Sequence, residues 1–328
     1  MITKKVVYQT IKFFAIVLMV GGMALAGSGI AIASPGGVPG PPAWSHKGGQ
    51  KGCGNAEVGA PTQTPAYFAA HPDEFAADPD MPPGMRAMLD QIALRQPTVL
   101  TSITCTPGPQ RKSVVLNSGE AVPNWAGYWT GATSTTYTFV SLDWTVPKVT
   151  ATSSSSDVSI WPGLGSANSA SDALVQAGTA QSSTKTVFWY EIVPGQHEQD
   201  TSIPVAPGDS VSVAIGYNTS TSVATFDFYN YTKNTFTVVT EKLLSGDKFL
   251  GRQAEWIVER PTIGSSYALL PNFGTVTTTS SGYGTSSTTW MATNANPITM
   301  INSSNAVLAS PAWIGTTHQF TVTWKKAS

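Results

Sequence analysis

The chain has 328 residues, only 11% of them charged, and 18 Lys and Arg against 19 Asp and Glu leave a net charge of −1. Without clustered basic residues it lacks the electrostatic footprint of a nucleic-acid binder. Four scattered histidines and two cysteines make no ligand cluster, so neither a metal nor another cofactor is expected.

At the N-terminus, Lys4, Lys5 and Lys12 precede an apolar run over 13–26, and Ala31-Ile32-Ala33 stands before Ser34. Basic, then apolar, then small-x-small is the order of a secretory signal peptide, here 1–33, with Ala24-Leu25-Ala26 as a second cleavage candidate. The run is too short and glycine-interrupted to span a bilayer, and no later segment is better suited. The expectation is a secreted, extracellular monomer that leaves the membrane after signal cleavage.

Residues 34–112 differ in character from the rest of the chain. They are rich in Gly and Pro up to about 54, offer one helix around 85–94, and scatter Arg86, Arg95, Arg111 and Lys112. This reads as a pro-segment or N-terminal extension. Its Cys53 and Cys105 are able to form one disulfide in an exported chain.

From 113 to 328 the pattern turns to short runs of Val, Thr, Tyr, Phe and Trp broken by Gly, Ser, Asn and Pro. Runs at 137–144, 187–193, 210–217, 222–229, 236–243, 254–259 and 318–324 predict an all-β antiparallel sandwich. The 13 Asp and Glu from residue 120 onward are sparse, so acidification changes the charge of this region little.

Three strands set polar residues among apolar ones. Side chains alternate along a strand, so Glu255, Ile257 and Glu259 share one face, and Trp256 and Val258 the other. By the same rule Trp189 and Glu191 oppose Phe188, Tyr190 and Ile192, while Gln176 shares a face with Leu174 and Gly178. Gly178 lets a backbone or a ligand approach closely. Buried acids and amides need partners, which makes a structural network the plain alternative for each. There is no G-x-S-x-G elbow, H-E-x-x-H or Walker loop, and His197 beside Glu198 reads as surface rather than as part of a triad.

Six pieces occur in the order found in the glutamic peptidases (eqolisins, peptidase family G1): Asn124-Trp125-Ala126-Gly127-Tyr128, Trp144-Thr145-Val146-Pro147, Trp161-Pro162-Gly163-Leu164-Gly165, Leu174-Val175-Gln176-Ala177-Gly178, Trp189-Tyr190-Glu191 and Ala254-Glu255-Trp256-Ile257-Val258-Glu259-Arg260-Pro261. The chain resembles that family over about 120–328. The resemblance implies a bent sandwich of two antiparallel sheets, like the concanavalin or legume-lectin fold, acting as a metal-independent acid endopeptidase on polypeptides. It implies a zymogen and a catalytic dyad of Gln176 and Glu259, with Glu255 as the other candidate acid. Trp125, Trp161, Trp189 and Glu191 then bind substrate in an aromatic cleft. Two departures touch the surroundings of the dyad. Gly165 stands where the family often has Asp, and Val193 where it has Tyr. The family's disulfides within the catalytic domain are also missing.

A glutamate can take a proton from water and return it to the leaving amine. A glutamine offers N–H donors to an oxyanion and a carbonyl to orient the water. Two other readings stay open. One is a carbohydrate-binding or glycoside-hydrolysing sandwich using Glu191 and Glu259; the other is an inactive binding relative.

Overall fold

The computed structural model describes residues 53, 56–58, 83–100, 102–108, 121–165 and 172–328, all within one compact unit, Pro41–Ser328. The signal peptide, His46, His71, Arg111 and Lys112 lie outside the described residues.

The architecture is the expected all-β sandwich. Its front sheet runs, neighbour to neighbour and antiparallel throughout, from Cys105–Pro107 through Gln196–Thr201, Thr186–Val193, Leu174–Ser182, Asp157–Gly165, Gln253–Glu259 and Trp125–Gly131 to Asn296–Ile301. Its back sheet runs through Thr235–Lys242, Val223–Asn230, Ser210–Asn218, Phe139–Thr145 and Thr275–Gly284. Val307–Trp313 and Phe320–Trp324 connect the two sheets along one side. All seven runs read from the sequence are strands, with ends shifted by no more than two residues.

Alternation explains what faces what. Val140, Leu142 and Trp144 of the back sheet meet Ile160, Tyr190 and Trp256 of the front sheet in the main core. At about 25 cal/mol per Å² of apolar surface, this layer is the main stabilising term. The Trp256 indole N–H stays satisfied there by the Ser141 carbonyl at 2.9 Å.

Helix α1 (Pro83–Ala93) covers the outer face of the back sheet, burying Met85, Leu89 and Ile92 against Phe139, Ala214, Tyr229 and Phe236. Beyond it, Thr98–Val99 pairs with Thr235–Lys242, and Cys105–Pro107 adds a strand to the far edge of the front sheet. Cys53 and Cys105 form a disulfide, and the Tyr190 hydroxyl donates to the Cys53 carbonyl at 3.2 Å. The described parts of the N-terminal extension are thus built into the back and edges of the sandwich.

Candidate active site

The front sheet has a second face, turned away from the core, and the polar residues singled out from the sequence stand on it. Gln253–Glu259 sends Ala254, Trp256 and Val258 into the core, so Glu255, Ile257 and Glu259 project the opposite way. Its neighbours send out Trp125, Ser159, Trp161, Gln176, Trp189 and Glu191 by the same alternation. Trp125, Trp161, Leu174, Trp189, Val193, Ile257 and Ile298 form an apolar cluster there, separate from the main core.

The cross-strand register orders these groups in rows. Glu255, Gly163, Gln176 and Glu191 lie level with one another. Glu259 is level with Ser159 and Trp125, four residues further along its strand. Ile257 and Trp161 occupy the row between.

Glu259 and Gln176 are held separately. The Trp161 indole Nε1 donates to Glu259 Oε2 at 2.9 Å, and Asn124 Nδ2 donates to Oε1 at 3.4 Å. Gln176 Nε2 donates to Glu191 Oε2 at 2.8 Å. A carboxylate can accept only from the N–H end of the amide, so this bond turns the amide oxygen of Gln176 the other way. That oxygen is buried without a partner among the described residues, as are Ser159 Oγ, Trp125 Nε1 and Glu255 Oε2. Trp161 spans the two groups. Its Nε1 reaches Glu259, while its Cζ3 edge lies over Gly163, the cross-strand neighbour of Gln176.

Burial is nearly complete. Gln176 is 3% exposed, Glu191, Glu255 and Glu259 are each 2%, and Trp161 and Trp189 are 0%. The three indoles therefore pack as a floor, with Trp125 edge-on to Trp161 at 5.1 Å between ring centroids. Burial pushes the pKa of Glu255 up to about 8, with the charge of Glu259 adding to the rise.

Two glycines acquire local reasons. A Cβ on Gly178 would stand 2.0 Å from the Ile160 carbonyl oxygen and 2.7 Å from the Trp161 Cβ. The close approach foreseen at Gly178 is thus made by the neighbouring strand, and it seats Trp161. Gly165 has φ of 126°, and a Cβ there would lie 2.0 Å from the Ala173 carbonyl oxygen. No aspartate fits that backbone, which accounts for the departure at this position. His197 is exposed. Among the described residues no group of His, Cys, Asp and Glu could hold a metal ion.

Sequence reasoning missed Asn124 and Ser159. Asn124 opens a quoted motif, and its polar side chain beside Trp125 was the available signal. Ser159 precedes the apolar Ile160-Trp161 pair and gave none.

The sequence profile of the peptidase A4 family matches residues 123–324. Scytalido-glutamic peptidase, solved with a transition state analog inhibitor, superposes with a TM-score of 0.55 at 20% identity, covering 62% of this chain and 98% of its own. SCP-B, a member of the eqolisin family solved with the tripeptide Ala-Ile-His, gives 0.52 at 18% identity over 62% and 98%. Aspergilloglutamic peptidase from Aspergillus niger is 26% identical, with a TM-score of 0.45 over 52% and 99%. No curated protein sequence matches.

Proposed function

The chain belongs to the peptidase A4 family and is a glutamic endopeptidase, and from that premise we propose that Glu259 and Gln176 are its catalytic pair. Glu259 takes the proton of the attacking water and passes it to the leaving nitrogen. Gln176 keeps one N–H on Glu191, turns the other toward the oxyanion, and orients the water with its carbonyl. Glu191 fixes the amide rather than reacting.

One observation carries this reading. A carboxylate gripped by an indole N–H stands on the same buried face as an amide oxygen, a hydroxyl and an indole N–H that lack partners among the described residues. Buried polar groups are ordinarily satisfied, and unsatisfied ones gathered on one face suit a site that takes up water and a peptide bond. Because Glu259 is four residues beyond the level of Gln176, the two side chains meet at one water only by leaning together across Trp161. A flat lattice would set those levels about 13 Å apart.

The register favours one rival assignment. Glu255 is level with Gln176, with only Gly163 between them. Against it, a carboxyl group with a pKa near 8 is protonated in acid and cannot take a proton from water there.

The test is cleavage of an unfolded protein substrate from pH 2 to 7. Glu259→Gln and Gln176→Ala are each expected to lower the rate at least about 10²-fold with the fold intact. Full activity in Glu259→Gln, lost instead in Glu255→Gln, would transfer the role.

We also propose that the chain is exported and that this full-length form is a closed precursor. The basic and apolar N-terminus supports export. The burial of Gln176 and Glu259 supports closure. Sequencing the N-terminus of active secreted enzyme checks both, and activity with residue 40 still attached would refute the precursor.

A further inference from the structure

Arg260 follows Glu259 directly, yet it makes no ion pair among the described residues. It is 7% exposed. Its Nε donates to the Pro123 carbonyl at 2.9 Å, and its guanidinium carbon stands 4.9 Å from the centre of the Tyr267 ring. One of its five N–H donors is thereby used, and the fork of terminal nitrogens is left over. A mostly buried cation without a counter-charge is unfavourable unless something supplies one.

The space it faces is a cavity of about 550 Å³, lined also by Tyr267, Asn302 and Ser303, with Pro123 and Ile301 as apolar walls. Asn302 Oδ1 is occupied by the backbone N–H groups of Ser304 and Ala306, at 3.0 and 2.9 Å. What Asn302 has left is its N–H pair. Ser303 and Tyr267 add hydroxyl groups, and no Asp or Glu side chain lines the cavity among the described residues. Ser328 completes the rim without pairing with Arg260. Ser328 apart, the lining side chains set donors around a positive charge.

The cavity is tied to the reacting face through Asn124. The Arg260 backbone N–H donates to the Asn124 carbonyl at 2.9 Å, and the Asn124 side chain donates to Glu259. Pro123 and Asn124 thus hold Arg260 and Glu259 from one short segment. We propose that this cavity binds a carboxylate of the peptide substrate, gripped by the Arg260 guanidinium with the Asn302 amide, and so sets specificity next to Glu259. Planar guanidinium and carboxylate match in a paired geometry that no neutral amide reproduces. The inference rests on the peptidase reading of the reacting face. Its carboxylate comes from either an acidic side chain or the substrate's C-terminus.

Calorimetric titration of the Glu259→Gln protein at pH 5, run on the intact chain and again after the N-terminal extension is cut away so that the site is open, tests it, since peptide carboxylates are ionised there. Three probes are needed: an N-acetylated alanine peptide with a free C-terminus, the same peptide amidated, and an amidated peptide containing one Glu. At least one carboxylate-bearing peptide should bind about tenfold or more tightly than the amide. Whichever does so identifies the source. Adding Arg260→Gln should reduce the ratio to near one. Ser303→Glu, on an exposed rim position, should weaken only the carboxylate peptide, which keeps the test valid if Arg260→Gln folds poorly. Equal binding of acid and amide peptides by the parent overturns the proposal. So does a ratio that survives both substitutions. Cleaved peptide in the cell, seen by mass spectrometry, would instead refute Glu259 as the base and leave the binding comparison readable.

Discussion

Asp227 gives the sharpest prediction about stability. It lies on Val223–Asn230, across from Ala214 and Val238, on the outer face of the back sheet that α1 covers. It is 1% exposed, and neither carboxylate oxygen has a partner among the described residues. Burial alone pushes its pKa from 3.8 to about 8. An acid whose pKa rises on folding leaves stability at its full value below the unfolded pKa. Stability is then lost as pH climbs from about 4 toward about 8. At pH 7 this loss is about 4 kcal/mol, at 1.36 kcal/mol per unit. Asp227→Asn removes the titration and keeps the shape. The variant should match the parent within about 1 kcal/mol at pH 3 and exceed it by about 4 kcal/mol at pH 7, a rise of roughly 10 °C in Tm for a domain of this size. Urea unfolding at pH 3, 5 and 7 measures this directly. A difference that stays constant across those three pH values would refute the reasoning, because it would place the effect in packing rather than ionisation.

Three other changes separate neighbouring roles. Glu255→Gln mimics a carboxyl group already protonated in acid, so it should leave cleavage at pH 3 unchanged and stabilise the protein by about 3 kcal/mol at pH 7; a collapse of activity at pH 3 would contradict it. Trp161→Phe keeps the ring over Gly163 but removes the N–H that holds Glu259, and kcat should fall on the order of tenfold with little change in Tm. Cys105→Ser opens a bridge across a sequence separation of 52 and should lower stability by about 4 kcal/mol, read as an earlier urea midpoint. An unchanged midpoint would mean that α1 and the edge strands hold the extension unaided.

Much of this was legible because strand alternation is a strict rule. Period two alone put Glu255 with Glu259, Trp189 with Glu191, and Gln176 with Leu174 and Gly178 on shared faces, as they are in the structure. The Leu174–Ser182 strand was foreseen only as far as Gly178, since Ala180, Gln181 and Ser182 carry no strong β signal. Pro162 lies within a central strand, where proline ordinarily argues against one. It is accommodated at an irregularity between Ile160 and Gly163, where the ladder to Leu174–Ser182 is interrupted. Partnership was not legible. That Gln176 would bond Glu191, and Glu259 would bond Trp161 and Asn124, depends on cross-strand register, which no local pattern encodes. Alternation tells which face a tryptophan takes, but not how deeply that face is covered.

The buried acids also bear on the conditions in which such a site can work. Glu241 is pushed up to about 7, mainly by burial, against a hydrogen bond from Gln196. Together with Asp227 and Glu255 it makes three carboxyl groups that are most easily accommodated in acid and penalise the fold as pH rises through the neutral range. The opposite case is Asp209. Burial raises its pKa, but hydrogen bonds from Lys233, Asn230 and the Ala206 N–H outweigh burial and lower it. That contribution holds above the ordinary Asp value and fades as pH falls through the lowered one. With Asp143, which burial also raises, four groups favour acid and one opposes it. A sequence poor in carboxylates has little to lose on acidification, and several of the few it has are held neutral there. The same burial that makes Glu255 unfit as a base in acid therefore helps to keep folded, in acid, the sheet that presents Glu259.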